Sequence, residues 1–308
     1  MVEIFFKNIK NQTLEKLESV KEGAWINIEN AKKEDLDFVS DLTNLNLIDL
    51  EDALDLHELP RIERKNSNVI FFIRDAQFFD KNEEVSTSPL TIIITKKYII
   101  TISINKSNLI RSLINNGFDF PTTQRSKFLI YILLNISRNF TKAVKSLHND
   151  VEYQKDKLEK VTNADILKLI EQEEILSGYI SALNPMKIVF EAIETGKYIP
   201  IYSYDEDLIE DMIISIRQSV QVCSTNLRSI KSLRESYQII FTNNLNKTIR
   251  LLTSITVILT IPTMIASFFG MNVLIPFQDS PLGFCLILII SCLISFIFLY
   301  FFIIKKWF

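Results

Sequence analysis

The chain of 308 residues holds only two histidines, three cysteines and six glycines. Cys223, Cys285 and Cys292 are too few for a disulfide framework, and two of them sit in an apolar run where a small polarizable side chain packs well. His57 and His148 stand far apart, which disfavours a dedicated zinc centre; His57 beside Glu58 and Pro60 reads as structural and His148 as a solvated helix residue. The glycines form no G-x-x-x-x-G-K-[ST] loop, and Asp80-Lys81-Asn82 lacks the setting of a phosphorylated pump aspartate, so no ATP or organic cofactor is expected. No nucleophile-base pair is visible, which leaves an enzyme as the weakest reading. A net charge of −3 gives no reason to expect a nucleic-acid partner.

Charge is also missing from one end. The chain has 34 Lys and Arg and 37 Asp and Glu, yet residues 251–304 contain only Asp279. The mean hydropathy of +0.16 beside 23% charged residues reflects this segregation. Two uninterrupted apolar runs, 251–269 and 282–304, each reach across roughly 30 Å of hydrocarbon at about 1.5 Å per residue. Only two spans fit, which excludes a many-helix transporter. Lys247 and Arg250 precede the first run, Lys305 and Lys306 follow the second, and the intervening loop has no Lys or Arg. The positive-inside rule then puts both termini in the cytoplasm of a cell whose plasma membrane holds the protein. The opening MVEIFFKNIKNQ, interrupted by Glu3, Lys7 and Lys10, does not read as a secretory signal.

The expected class is an α+β membrane protein. Residues 1–120 read as a cytoplasmic α/β domain: WINIEN, VIFFIRDAQFF and LTIIITKKYIITIS carry strand signals, and KKEDLDFVSDLTNL and LEDALDLH carry helical ones. Residues 121–203 read as a cytoplasmic helical region with breaks at Asn184-Pro185 and near Gly196 to Pro200. Residues 204–270 read as one helix of about 100 Å, a stalk running into the first span. An extracellular loop (271–281), the second span (282–304) and a basic cytoplasmic tail (305–308) complete the chain. Along the stalk, Ile213, Ile216, Val220, Cys223, Leu227 and Ile230 repeat at the spacing of a packing seam.

A second stripe follows the same repeat. It starts as Gln221, Thr225, Arg228, Ser232, Glu235, Ile239, Thr242 and Asn246, and continues as Ile249, Thr253, Thr256, Thr260, Thr263, Ser267 and Gly270. Polar side chains at membrane depth must face protein or water. Such hydroxyls can bond back to their own helix or join helices, but this stripe continues into a polar stalk. A lumen shared by several copies is the expectation, with Ile249 and Leu252 as its apolar collar.

Phe269-Gly270-Met271-Asn272 ends the first run, with Pro276 shortly after. At the outer end of the first of two C-terminal spans, this resembles the Gly-Met-Asn signature of the CorA family of Mg²⁺ channels and transporters. The resemblance extends through WINIEN, LEDALDLHELPRIER and YIITIS to the closing Lys305-Lys306-Trp307-Phe308; Phe269 stands where the family often has Tyr, and Pro262 is slightly shifted. It implies a homopentamer in the lipid bilayer, a funnel whose first helices line the pore, and uptake of Mg²⁺, with Co²⁺ or Ni²⁺ as further cargo. Gly270, Met271 and Asn272 would form the filter. Asn246, Ile249, Leu252, Thr253, Thr256, Thr260, Thr263 and Ser267 would line the lumen. Asn272 offers amide acceptors to the waters of a hydrated ion, which Mg²⁺ releases reluctantly.

Passive uptake needs a gate. The acidic run Asp205, Glu206, Asp207, Glu210 and Asp211 offers oxygen ligands, and the resemblance places Asp211 at an inter-subunit regulatory Mg²⁺ site, with Asp207 beside it and Asp80, Glu83 or Glu84 as partners. The same run also suits a solvated helix N-terminus. A ZntB-type zinc transporter is the near alternative. A membrane-anchored coiled-coil interaction protein is the distant one, and it leaves the hydroxyl stripe without a reason.

Overall fold

The computed structural model describes residues 2–8, 13–76, 87–155, 162–271, 281–305 and 307. Their contacts divide the chain into two units, Met1–Leu233 and Arg234–Phe308.

In the first unit, seven described strands form one sheet: β1 (Val2–Phe6), β2 (Glu15–Leu17), β3 (Trp25–Glu29), β4 (Arg61–Lys65), β5 (Asn68–Ala76), β6 (Thr87–Ile94) and β7 (Ile99–Ser103). The order is β2-β1-β3-β7-β6-β5-β4. Only β3 and β7 run parallel, with Trp25 opposite Ile99; the other neighbours are antiparallel. LTIIITKKYIITIS is thus a hairpin, closed where the amide N–H groups of Lys97 and Tyr98 donate to Thr95 Oγ1. Every residue of β5 is buried, because helices cover both faces of the sheet.

Alternate residues point to opposite faces of a strand. On one face Ile26, Ile28, Ile70, Phe72, Ile93, Ile100 and Ile102 pack with Leu36 and Val39 of α1 (Lys33–Thr43) and Leu50 of α2 (Leu47–Glu51). On the other, Trp25 packs against Phe5, Phe118 and Phe128 at centroid distances of 5.2, 6.4 and 5.0 Å. Its indole donates to Thr101 Oγ1, and that hydroxyl donates to Asn27 Oδ1, each at 2.9 Å. LEDALDLH yields less helix than its pattern predicts. A 3₁₀ turn, Asp52–Leu54, ends it, and the His57 N–H bonds Asp55 Oδ1 at 2.8 Å in an Asx turn. His57 itself is exposed.

Helix α3 (Asn108–Asn116) is followed by α4 (Arg125–Lys155) and α5 (Asn163–Glu194). The expected break at Asn184-Pro185 is absent. Leu183, Met186, Val189 and Phe190 are buried, so packing holds the helix through Pro185. The proline deprives the Ser181 carbonyl of its donor, but Ser181 lies on the exposed side of the helix, where the carbonyl is not sealed from solvent. Helix α5 ends where Gly196, at φ 68°, turns the chain.

Helix α6 runs from Ser203 to Phe269, 67 residues. In the first unit its seam residues Ile213, Ile216, Cys223 and Ile230 are buried. Polar bonds register it against α4: Ser137 Oγ donates to the Met212 carbonyl at 3.3 Å, Thr141 and Ser219 hydroxyls meet at 3.3 Å, and His148 Nδ1 lies 2.8 Å from Asn226 Oδ1. His148 is therefore a half-buried tie between helices, not a solvated residue. The second unit consists of the rest of α6 and α7 (Pro281–Ile304). Both helices are long and apolar enough to cross a bilayer, and their most apolar windows are only 6% and 11% buried. Side chains such as Leu259, Phe284 and Phe296 are open over more than half their surface, an exposure that suits lipid and not water.

Candidate functional site

Within the second unit, α6 has two contrasting faces. Ser254 is buried, with Ile258, Ile261 and Ile265 half-buried. At about 100° per residue these four share one narrow stripe. Thr256, Thr260, Thr263 and Ser267 fall nearly opposite, about 160° round the helix. All four are exposed, as are Asn246, Ile249, Leu252 and Thr253. On α7 the shielded positions are Gly283, Ser291 and Phe302, with Ile287, Ile294 and Ser295 half-buried. Small residues at such a seam let two membrane helices approach closely. Both stripes belong to the second unit, and the hydroxyl face of α6 lies nearly opposite its own shielded stripe.

Three of these hydroxyls donate back along the helix: Thr256 Oγ1 to the Leu252 carbonyl at 2.8 Å, Thr260 to Thr256 at 2.7 Å and Thr263 to Leu259 at 3.0 Å. A hydroxyl has one proton to give and two lone pairs. With the proton turned inward, what these threonines present outward is a row of acceptors. Such a row suits a ligand that brings only donors, as the water shell of a cation does. Ile249 and Leu252, 51% and 64% exposed, precede the row.

The helix ends at the expected motif. Gly270 N–H reaches the Ala266 carbonyl at 3.0 Å and Met271 N–H the Phe268 carbonyl at 3.4 Å. A Cβ on Gly270 would lie 3.3 Å from that Ala266 oxygen, so a bare glycine lets the last turn close. Met271 is exposed. Asn272, expected as the third residue of a filter, lies outside the described residues, as does Lys306.

The acidic run at the start of α6 separates into two environments. Glu206, Asp207, Glu210 and Asp211 are exposed; Asp207 and Asp211, four apart, share a face. Asp205 is buried, and neither of its carboxylate oxygens has a hydrogen-bond partner. Burial raises its pKa, opposed by the charge of Lys127. Asp80, Glu83 and Glu84 lie outside the described residues. Among those described, no three His, Cys, Asp or Glu side chains gather to hold a metal. Asp207 and Asp211 thus need ligands from beyond the described part of one chain.

Two features escaped the sequence reading: the burial of Asp205, which reads in the sequence only as one of the acidic run, and the buried carboxylate of Asp75. Asp205 precedes Ile209, Met212 and Ile213 at the period of the buried seam, so extending that seam backwards finds it. Asp75 lies in the wholly buried β5, where Asn139 Nδ2 of α4 contacts its two oxygens at 3.1 and 3.3 Å. Burial pushes its pKa up to about 7 against the hydrogen bonds from Asn139 and the Ala76 amide. Its neighbour Arg74 is satisfied by the carbonyls of Leu56, Glu58 and Thr87. A charged pair inside an apolar strand was the available signal.

Comparison with known proteins gives a consistent result. The family described as CorA-like Mg²⁺ transporter protein matches residues 20–306. The cobalt/magnesium transport protein CorA of Methanocaldococcus jannaschii is 26% identical over 291 residues, 92% of this chain and 90% of that protein. That of Thermotoga maritima is 20% identical over 317 residues, 98% and 89% of the two. The complete structure of the CorA magnesium transporter from Methanocaldococcus jannaschii superposes with a TM-score of 0.82 at 23% identity, covering 100% of this chain and 99% of that one.

Proposed function

The chain belongs to the CorA-like Mg²⁺ transporter family, and we propose on that premise that it carries Mg²⁺ through a pore lined by the hydroxyl face of α6. It is a divalent-cation transporter. The observation that carries the pore reading is the row of outward acceptors at Thr256, Thr260 and Thr263, set nearly opposite the shielded stripe of the same helix. Two spans cannot enclose a lumen, so several copies bring their α6 faces together. Five is the number the family resemblance implies.

In this arrangement Asn272 amide oxygens ring the entrance beyond Gly270 and Met271, and accept hydrogen bonds from the water shell without a fixed charge that would trap the ion. Thr263, Thr260 and Thr256 take over along the lumen, with Thr253, Ser267 and Asn246 on the same face. Ile249 and Leu252 form the collar that closes by shedding water. Both termini lie in the cytoplasm of a plasma-membrane protein. The membrane potential drives entry, at about 2.3 kcal/mol per charge per 100 mV and so about 4.6 for a dication. Cytoplasmic Mg²⁺ bridging Asp207 and Asp211 of one copy to carboxylates of another, Asp80 among them, holds the ring closed against like-charge repulsion. Its loss lets the stalks part. Co²⁺ and Ni²⁺, with similarly held water shells, are further cargo.

The test is cation entry into liposomes holding the purified protein, beside Asn272→Ala. Mg²⁺ entry driven by an inside-negative potential should disappear in the variant. Entry of Zn²⁺ without Mg²⁺ would overturn the cargo assignment, and undiminished Mg²⁺ entry in Asn272→Ala would overturn the filter.

A further inference from the structure

Beside the start of α6, two adjoining grooves of about 370 and 350 Å³ share Arg125, Ser126 and Pro200 as a common wall. Arg64 and Lys96 line the first; Lys127, Tyr202 and Tyr204 line the second. The chain carries a net charge of −3, yet four cations line these grooves and no Asp or Glu does. Lys127 acts on the buried Asp205, whose pKa its charge lowers, but the other three cations have no acidic partner among the described residues. Among the described residues Lys96 and Arg125 make no ion pair or side-chain hydrogen bond, and Arg64 donates only to the carbonyls of Lys197 and Tyr198, at 2.7 and 3.1 Å. Three unneutralised cations around one hollow repel each other, and an anion seated there removes that cost.

The backbone adds to the field. Arg125, Ser126 and Lys127 open the 31-residue helix α4, whose first helical bond is Phe128 N–H to the Gln124 carbonyl. The three amides before it point their N–H groups out of the helix start. Forked guanidinium donors, an ammonium and free amides match a polyphosphate better than a single carboxylate. The far wall has a different character. Tyr202 and Tyr204 stack at 3° and 5.5 Å, each more than half exposed, with Lys127 Nζ 5.2 Å from the Tyr204 ring centre. An open aromatic face next to a cationic hollow is where a planar base can stack.

We propose that this double groove binds a nucleoside di- or triphosphate, its phosphates held by Arg64, Lys96 and Arg125 and its base against the Tyr202–Tyr204 pair. Tyr202 and Tyr204 flank Ser203, the first residue of α6. The ligand therefore ties the start of α4 to the start of α6. The site is separate from Asp207 and Asp211 and does not depend on the cargo assignment.

The test is calorimetric titration of the full-length protein in detergent with ATP, tripolyphosphate and adenosine, with EDTA present so that no metal competes. ATP should bind saturably and more tightly than tripolyphosphate, with adenosine weakest. Arg125→Ala with Lys96→Ala should weaken both phosphate ligands at least tenfold. Tyr202→Ala should weaken ATP by roughly tenfold, the worth of one stacked base, and leave tripolyphosphate unchanged. Lys96→Glu alone, at an exposed turn position, gives a folded control whose melting temperature should match the parent while its ATP binding falls. Absence of saturable ATP binding at millimolar concentration would overturn the proposal, as would binding that the Arg125 and Lys96 changes leave intact. Equal affinity for tripolyphosphate and ATP, unaffected by Tyr202→Ala, would overturn the nucleotide assignment.

Discussion

Replacing Asp75 by Asn tests the electrostatics of the sheet-helix layer directly. In the folded chain burial lifts the Asp75 pKa from 3.8 to about 7, and the unfolded chain restores the ordinary value. Between these values the folded state holds a proton that the unfolded state releases, so this group's contribution to stability falls as pH rises through the interval and is level above and below it. A shift of about three units corresponds to at most about 4 kcal/mol, at about 1.4 kcal/mol per unit. Between pH 5.5 and pH 8 the parent should lose about 2 kcal/mol relative to Asp75→Asn, or roughly 4–8 °C in melting temperature for a unit of this size. Asn139 flips its amide to serve the new side chain, which leaves the packing in place. The assay is thermal melting across pH in a Trp307→Phe background, where the remaining indole, Trp25, is fully buried in the same unit. The parent-minus-variant difference cancels every other titrating group. A difference that does not change between pH 5.5 and pH 8 would refute the buried-carboxylate account.

Other consequences are equally open to measurement. Thr256→Val keeps the shape of the side chain and removes its outward acceptor, so Mg²⁺ flux should fall several-fold, at about 1 kcal/mol per lost hydrogen bond, while Thr256→Ser retains it; equal flux in both variants would remove Thr256 from the pathway. Asp211→Ala should abolish the protection from protease that Mg²⁺ confers on the stalk, and unchanged protection would exclude Asp211 as a regulatory ligand. Gly23→Ala should cost about 1–3 kcal/mol, because Gly23 sits at φ +84° and a Cβ there would lie 2.5 Å from Thr123 Cγ2; the melting temperature of the parent and variant checks it.

Periodicity revealed the long helix, its seam and its hydroxyl face, since each depends on which residues recur every three or four positions. Periodicity does not say what covers a face. That Ser254, Ile258, Ile261 and Ile265 are the shielded set of the first span is set by the packing of the second unit and not by the repeat itself. The helix through Pro185 shows the same limit from the other side: a local rule predicts a break, and the buried Leu183, Met186, Val189 and Phe190 override it. Strands β2 and β4 were missed because they are short edge segments with charged residues, such as the Arg-Ile-Glu-Arg-Lys of β4, and β1, though paired on both sides, because its five residues are too few to show a period.

The back-bonded threonines carry the same distinction into function. From sequence alone, a membrane hydroxyl that bonds its own helix and one that faces a lumen are rival readings, and the first seems to make the second unnecessary. In the proposed pore Thr256, Thr260 and Thr263 do both. The inward bond consumes the proton, and the lone pairs left outside make the face an acceptor surface with no donors of its own. A donor-free wall discriminates by the sign of its partner. Hydrated cations arrive with every water proton pointing outward, whereas each water on an anion spends one of its two protons on the ion and offers such a wall fewer donors. In that pore, back-bonding would favour cations without a single charged residue at membrane depth, where a fixed carboxylate would cost several kcal/mol to bury. The single formal charge in residues 251–304 is Asp279, in the segment between α6 and α7.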